Sequence, residues 1–140
     1  MRQILLFAAL AASLALLSGF ALSRAKEGKA EDMTDKAAYQ KISAEEAYEM
    51  MASQEVVVVD VRTREEYDGG HIENAVLVPI ESIGCEMPEA LPDKEATLLV
   101  YCRSGRRSKD AAQKLLALGY QSVYDFGGVI DWPYELVKER

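Results

Sequence analysis

The chain has 140 residues, room for one domain, and its 23 acidic residues against 16 basic ones give a formal net charge of −7. That balance excludes the broad basic face on which nucleic-acid binding depends. A single histidine excludes a histidine-only metal cluster, and no motif in the chain calls for a metal or a cofactor.

Met1-Arg2-Gln3 leads into an apolar stretch, residues 4–17, interrupted only by Ser13 and followed by Ser18, Gly19 and Ala21-Leu22-Ser23. A charged start, an apolar middle and a small-residue exit describe an export signal over residues 1–23, with cleavage after Ser23 or after Ala25. The competing reading is an uncleaved membrane anchor through residues 4–22, close to the ~20 residues that cross a bilayer. Phe20 stands where a lipid-bearing cysteine would be, which excludes lipidation there. Both readings put the domain outside the cytoplasmic membrane, in the periplasm or on the extracellular side. Loss of residues 1–23 removes Arg2 and takes the net charge from −7 to −8. Residues 24–38, rich in Lys, Glu, Asp and Ala without an apolar period, read as a flexible spacer, and the domain as residues 39–140.

Residues 39–42 are predicted as a short opening strand. Ser43-Ala44-Glu45-Glu46 is a capping box, with Ser43 accepting at the helix start and Glu46 reaching back. Ala44, Ala47, Tyr48 and Met51 then fall on one helical face. Val56-Val57-Val58-Val59 is a β-branched run of the kind buried on both faces of a parallel sheet. Thr63-Arg64-Glu65-Glu66 is a second capping box and starts a short helix stopped by Gly69-Gly70. Residues 75–78 make a short strand ended by Pro79, and residues 80–86 a helical turn or two. Residues 97–101 are the next buried strand. Residues 108–118 are predicted as a helix with Ala111, Ala112, Leu115, Leu116 and Leu118 inward and Gly119 as its stop. Residues 121–126 form the last strand, after which Gly127-Gly128 turns into a short terminal helix holding Trp132. Strands alternating with helices imply an α/β fold in three layers, a mostly parallel central sheet flanked by helices. Such sheets bind ligands at the carboxyl ends of their strands.

Cys102 stands at such an end, in Val100-Tyr101-Cys102-Arg103-Ser104-Gly105-Arg106-Arg107-Ser108. Backbone N–H groups of the loop and the guanidinium charges of Arg103, Arg106 and Arg107 converge on one thiol, and both favour its reactive thiolate form. An ordinary cysteine, with a pKa of about 8.5, is only about 3% thiolate at pH 7; a pKa of about 6.5 would make that about three-quarters. Three arginines in an acidic chain are a local reversal of sign that suits a small anion. The other cysteine, Cys85, could pair with Cys102 in an oxidising compartment. A permanent bridge would lock the residue that looks most reactive, so Cys85 is expected as a free or partly buried thiol. A reversible bond to Cys102 stays open.

These residues carry a family resemblance. Asp60-Val61-Arg62 with Glu66-Tyr67, then Gly70-His71-Ile72 with Ala75 and Val78-Pro79, then the Cys102–Ser108 loop, and finally Gly127-Gly128 with Trp132 together resemble a single-domain rhodanese, a sulfurtransferase. The resemblance runs from Ile42 to Trp132 and implies the rhodanese-like version of the fold. It also implies a chemistry: Cys102 attacks the outer sulfur of thiosulfate or a similar donor, releases sulfite, holds the sulfur as a persulfide, and passes it to a thiol or cyanide acceptor. In that scheme Arg103, Ser104, Gly105, Arg106 and Arg107 bind the donor and the anionic persulfide. Gly105 lets the loop curl with its N–H groups inward, Arg107 closes the loop, and Arg103 or Arg106 meets the donor's oxyanion. His71 is expected to make a fold-supporting hydrogen bond. Asp60 and Arg62 are expected to form a buried or half-buried ion pair, and Trp132 and the tyrosines to pack in the core or at its rim.

A cysteine phosphatase or arsenate reductase keeps five residues between cysteine and arginine, whereas four separate Cys102 from Arg107. The shorter loop makes a pocket for sulfur rather than for a tetrahedral oxyanion. Two further readings stay open: a non-catalytic module that carries sulfur or binds a protein, and a thiol redox protein using Cys85 with Cys102.

Overall fold

The computed structural model describes residues 38–138. The expected export signal or anchor and residues 24–37 of the spacer lie outside the described residues, and so do residues 139–140. In chain order come β1 (Gln40–Lys41), α1 (Ala44–Ser53), β2 (Val57–Asp60), α2 (Arg64–Asp68), β3 (Val76–Leu77), β4 (Thr97–Cys102), α3 (Arg106–Ala117) and β5 (Ser122–Gly128). Single 3-10 turns lie at Ile80–Ser82 and Val129–Asp131. The strands form one sheet in the order β1-β5-β4-β2-β3, every pairing parallel, as the alternation of strand and helix implied.

Side chains alternate across a strand, so each central strand feeds two cores. β4 sends Leu98, Val100 and Cys102 to the face covered by Ala111, Ala112 and Leu115 of α3. Leu99 and Tyr101 face the other way, onto Ala44 and Ala47 of α1, Tyr67 of α2, Phe126 and Trp132. Full burial of one such aliphatic side chain stabilises by roughly 1.5–3 kcal/mol, which fixes the register of the central strands. Both capping boxes form. The Ser43 hydroxyl accepts from the Glu46 amide at 3.1 Å and the Ser43 amide donates to Glu46 at 2.7 Å. Thr63 and Glu66 do the same at 3.2 and 3.0 Å.

Several expectations shift. The helix predicted from residue 108 starts at Arg106, because Gly105 takes φ 95° and turns the chain straight into α3. Arg106 and Arg107 therefore belong to the first helical turn, and only Arg103, Ser104 and Gly105 are loop. Tyr48, placed on one helical face with Ala44, Ala47 and Met51, is 47% exposed and stacks on Tyr134 at 3.9 Å between ring centroids. Leu116 and Leu118 are only partly buried. The helical segment after Pro79 stops after Ser82, since Ile83 turns to extended backbone and buries its own side chain. Trp132 follows the final 3-10 turn rather than lying in it.

The pairing of β4 with β5 slips near the end of the sheet. Val100 lies opposite Asp125, but Cys102 lies opposite Gly128, so β5 carries one residue more than β4 in that interval. This bulge aims Asp125 and Gly128 at the segment that follows Cys102.

Candidate active site

Cys102 ends β4 with its side chain on the α3 face, fully buried. The left-handed turn at Gly105 points its amide back at the sulfur, and that N–H donates to Cys102 Sγ at 3.0 Å. Ser108 Oγ lies 3.6 Å from the same sulfur. Burial pushes the thiol's pKa up, but the Ser108 hydroxyl and the N–H groups of Ser108, Gly105 and Ser104 outweigh it and leave it below its ordinary value. Cys102 thus sits over the N-terminal end of a helix of 12 residues, where the aligned peptide dipoles favour an anion.

The loop is held from behind by β5 and the turn after it. The Ile130 N–H donates to the Arg103 carbonyl at 3.2 Å. A Cβ on Gly128 would overlap that carbonyl and the Ser104 amide, so no larger residue fits there. This gives the Gly127-Gly128 pair of the sequence its physical reason.

The three arginines divide into two kinds. Arg107, half-buried, donates to both carboxylate oxygens of Glu66 at 2.8 and 2.7 Å, a bidentate pair that ties α3 to α2. The Arg107 guanidinium, more than any other group, holds the Glu66 carboxyl down to about 2. Arg103 and Arg106 are exposed and make no ion pair among the described residues. Together with Ser104, Arg107, Glu81 and Asp110 they line an open cavity of about 680 Å³. On its other side Arg103 borders a second cavity of about 380 Å³, with Arg62, Glu66, Val129, Ile130 and Leu136. The predicted residues Cys102, Arg103, Ser104, Gly105, Arg106 and Arg107 therefore gather at one place, with Arg107 committed to Glu66.

Sequence reasoning missed Asp125 and the extra duties of Ser108 and Glu66. Asp125 is fully buried; its Oδ1 accepts from the Ser108 hydroxyl at 2.6 Å and the Gly127 N–H at 2.9 Å, and its Oδ2 from the Tyr39 hydroxyl at 2.6 Å. Lys41 Nζ lies 3.7 Å from Oδ2. The available signal was a carboxylate inside an otherwise apolar strand, Val123-Tyr124-Asp125-Phe126. The expected Asp60–Arg62 pair is present and buried, with Nε and a terminal nitrogen of Arg62 at 3.0 and 2.6 Å from Asp60 Oδ2. The Tyr101 hydroxyl donates to the same carboxylate at 2.6 Å and accepts from the Ile72 amide at 3.1 Å. His71 serves the fold: its Nδ1 is 2.9 Å from the Tyr67 carbonyl, a contact in which nitrogen donates, and its ring stacks on Tyr67 at 3.6 Å. Cys85 is exposed and free, with no disulfide to Cys102 in this structure. No group of three or more His, Cys, Asp or Glu among the described residues could hold a metal ion, and no helix among them is long and apolar enough to cross a membrane.

Comparison with known proteins places this site in context. Residues 43–133 match the profile of the Rhodanese-like domain. Over 80 residues the chain is 36% identical to the thiosulfate sulfurtransferase PspE of Escherichia coli, which covers 57% of this chain and 77% of that protein. Over 98 residues it is 35% identical to the tRNA uridine(34) hydroxylase of Hamiltonella defensa; that stretch is 66% of this chain but only 28% of the hydroxylase. Among solved structures, a rhodanese-related protein of Thermoplasma volcanium superposes with a TM-score of 0.62 at 30% identity, across 72% of this chain and 100% of that one.

Proposed function

The chain belongs to the rhodanese-like family, and on that premise we propose that it is a sulfurtransferase whose carrier is Cys102. The observation that carries the reading is the Gly105 amide bonded to Cys102 Sγ at 3.0 Å at the start of α3, an arrangement that stabilises charge on sulfur. The thiolate attacks the outer sulfur of thiosulfate. A new S–S bond forms at Sγ, the donor's own S–S bond breaks, and its electron pair leaves with sulfite. The persulfide's charge lies on the outer sulfur, over the loop amides. A thiol or cyanide acceptor then takes that sulfur and returns Cys102 as thiolate. A preorganised donor aimed at developing charge is worth about 2.7–4 kcal/mol, so a few amides account for much of the rate.

Arg103 and Arg106 are the exposed cations of the cavity without an ion pair among the described residues and receive the donor's oxyanion; Ser104 and Gly105 supply the loop backbone, and Arg107 fixes the loop through Glu66. Residues 1–23 export the domain to the far side of the cytoplasmic membrane, cleaved or retained as an anchor; the N-terminal residue of the mature protein tests this.

A second reading, a sulfur-carrying or protein-binding module without turnover, draws on the likeness to a stretch of the much longer tRNA hydroxylase. Intact mass after thiosulfate, with and without cyanide, separates the two. One added sulfur on Cys102, removed by cyanide, is the expected result. A folded, reduced chain that takes up no sulfur overturns sulfur transfer and sulfur carriage together and leaves the protein-binding module.

A further inference from the structure

Ser108 has one hydroxyl proton and several acceptors around it. Asp125 Oδ1 lies at 2.6 Å, the Gly105 and Gly127 carbonyls at 3.1 and 3.2 Å, and Cys102 Sγ at 3.6 Å. The shortest contact is to a buried carboxylate, a charge-assisted bond that outcompetes neutral acceptors. The proton therefore lies toward Asp125, and the sulfur faces an oxygen lone pair. A lone pair can accept a thiol S–H but does nothing for a thiolate.

Asp125 is also equipped to let that proton go. Without the Ser108 bond it keeps the Tyr39 hydroxyl on Oδ2, the Gly127 N–H on Oδ1, and the Lys41 ammonium 3.7 Å away. We propose that Asp125 is a positioning residue that holds the Ser108 hydroxyl proton while Cys102 Sγ is uncharged and yields it when Sγ is a thiolate. The proposal rests on the sulfur-transfer reading above.

The steps balance without net proton movement at either residue. Before attack, the Ser108 O–H points at the thiolate. As the Sγ–S bond forms and sulfite leaves with the donor's bonding pair, charge moves to the outer sulfur, Sγ becomes neutral, and the hydroxyl turns to Asp125. When the acceptor takes the outer sulfur, the Sγ–S pair returns to Sγ and the hydroxyl turns back. The donor thus follows the charge on one atom through both half-reactions.

The test is the pH dependence of Cys102 alkylation by iodoacetamide, read on the Cys102 peptide by mass spectrometry because exposed Cys85 reacts too. The charged groups facing the pair are Arg107 toward Cys102 and Lys41 toward Asp125, with Tyr39 the further titratable neighbour; Arg107 and Lys41 stay the same in every variant below. Asp125→Asn frees the hydroxyl for sulfur and is expected to lower the midpoint by about one pH unit. The same change in a Ser108→Ala background is expected to lower it by less than half as much, since no hydroxyl is left to free. Tyr39→Phe, which makes Asp125 lean harder on Ser108, is expected to raise the midpoint by about half a unit. A midpoint that rises or stays put in folded Asp125→Asn overturns the proposal. So does an equal shift with and without Ser108, which is plain removal of a charge. Should Asp125→Asn not fold, Tyr39→Phe decides, and a midpoint unmoved or lowered there overturns it. Alkylation needs no sulfur donor, so a chain that shows these shifts yet takes no sulfur from thiosulfate overturns sulfur transfer alone.

Discussion

Glu66→Gln isolates the charge that ties the two helices of the site together. Glu66 accepts both Arg107 bonds and also the Thr63 amide, and glutamine keeps an oxygen for the amide while losing the charge. The folded carboxyl titrates at about 2 against an ordinary 4.5, chiefly because of the Arg107 hydrogen bonds. At about 1.4 kcal/mol per pH unit that difference is a little over 3 kcal/mol. With 31% and 28% of the two side chains open to water, screening reduces it to about 2 kcal/mol. A depressed carboxyl contributes stability that is full above its unfolded value and disappears as pH falls through its folded one. Urea unfolding should therefore show Glu66→Gln destabilised by about 2 kcal/mol at pH 7, with less than half of that difference left by pH 3. A difference of the same size at pH 7 and pH 3 would refute the reasoning, because a packing defect does not titrate.

Cys102→Ser should abolish sulfur uptake and leave the circular dichroism spectrum native, whereas Cys85→Ser should keep most activity; a dead Cys85 variant beside an active Cys102 variant reverses the assignment. Arg103→Ala or Arg106→Ala should raise the thiosulfate KM about tenfold or more through a lost charge-assisted contact worth about 1.5–3 kcal/mol, and steady-state kinetics with unchanged KM removes that residue from the donor site. Gly128→Ala should destabilise the chain by several kcal/mol or abolish folding, since its Cβ has no room beside the Arg103 carbonyl. A thermal melt within a degree of the parent would show that the loop can move aside.

The sheet and its helices were legible because periodicity and capping agreed. The Val56–Val59 run, both capping boxes, and the Ala111, Ala112 and Leu115 stripe each report a local physical requirement that the packed fold does not override. The start of α3 is not readable from side-chain capping because Ser104, the one cap-type side chain in Arg103-Ser104-Gly105-Arg106, is not the cap; Gly105 starts the helix by backbone conformation alone. Cys102 and its loop could be found from consecutive residues. Asp125 could not, since its significance depends on a strand pairing that brings it to Ser108, 17 positions away, and to Tyr39, 86 away. Glu66 was visible as a capping residue, but one carboxylate with two employers looks the same in sequence as one with a single employer.

One of the two shortest strands of the sheet draws a border through the site. β1 is two residues long and pairs only with β5 at the sheet edge, yet it carries Lys41 to Asp125 and follows directly on Tyr39. The stretch that matches the profile of the Rhodanese-like domain begins at residue 43, just beyond it. A chain trimmed to that stretch keeps the cysteine, its loop and the four remaining strands, and loses the tyrosine and lysine that attend the buried carboxylate. Where the chain is cut during purification, or left attached to what precedes it, is thus a chemical variable, and reactivity measured on a minimal domain describes a different thiol environment from that of the longer chain.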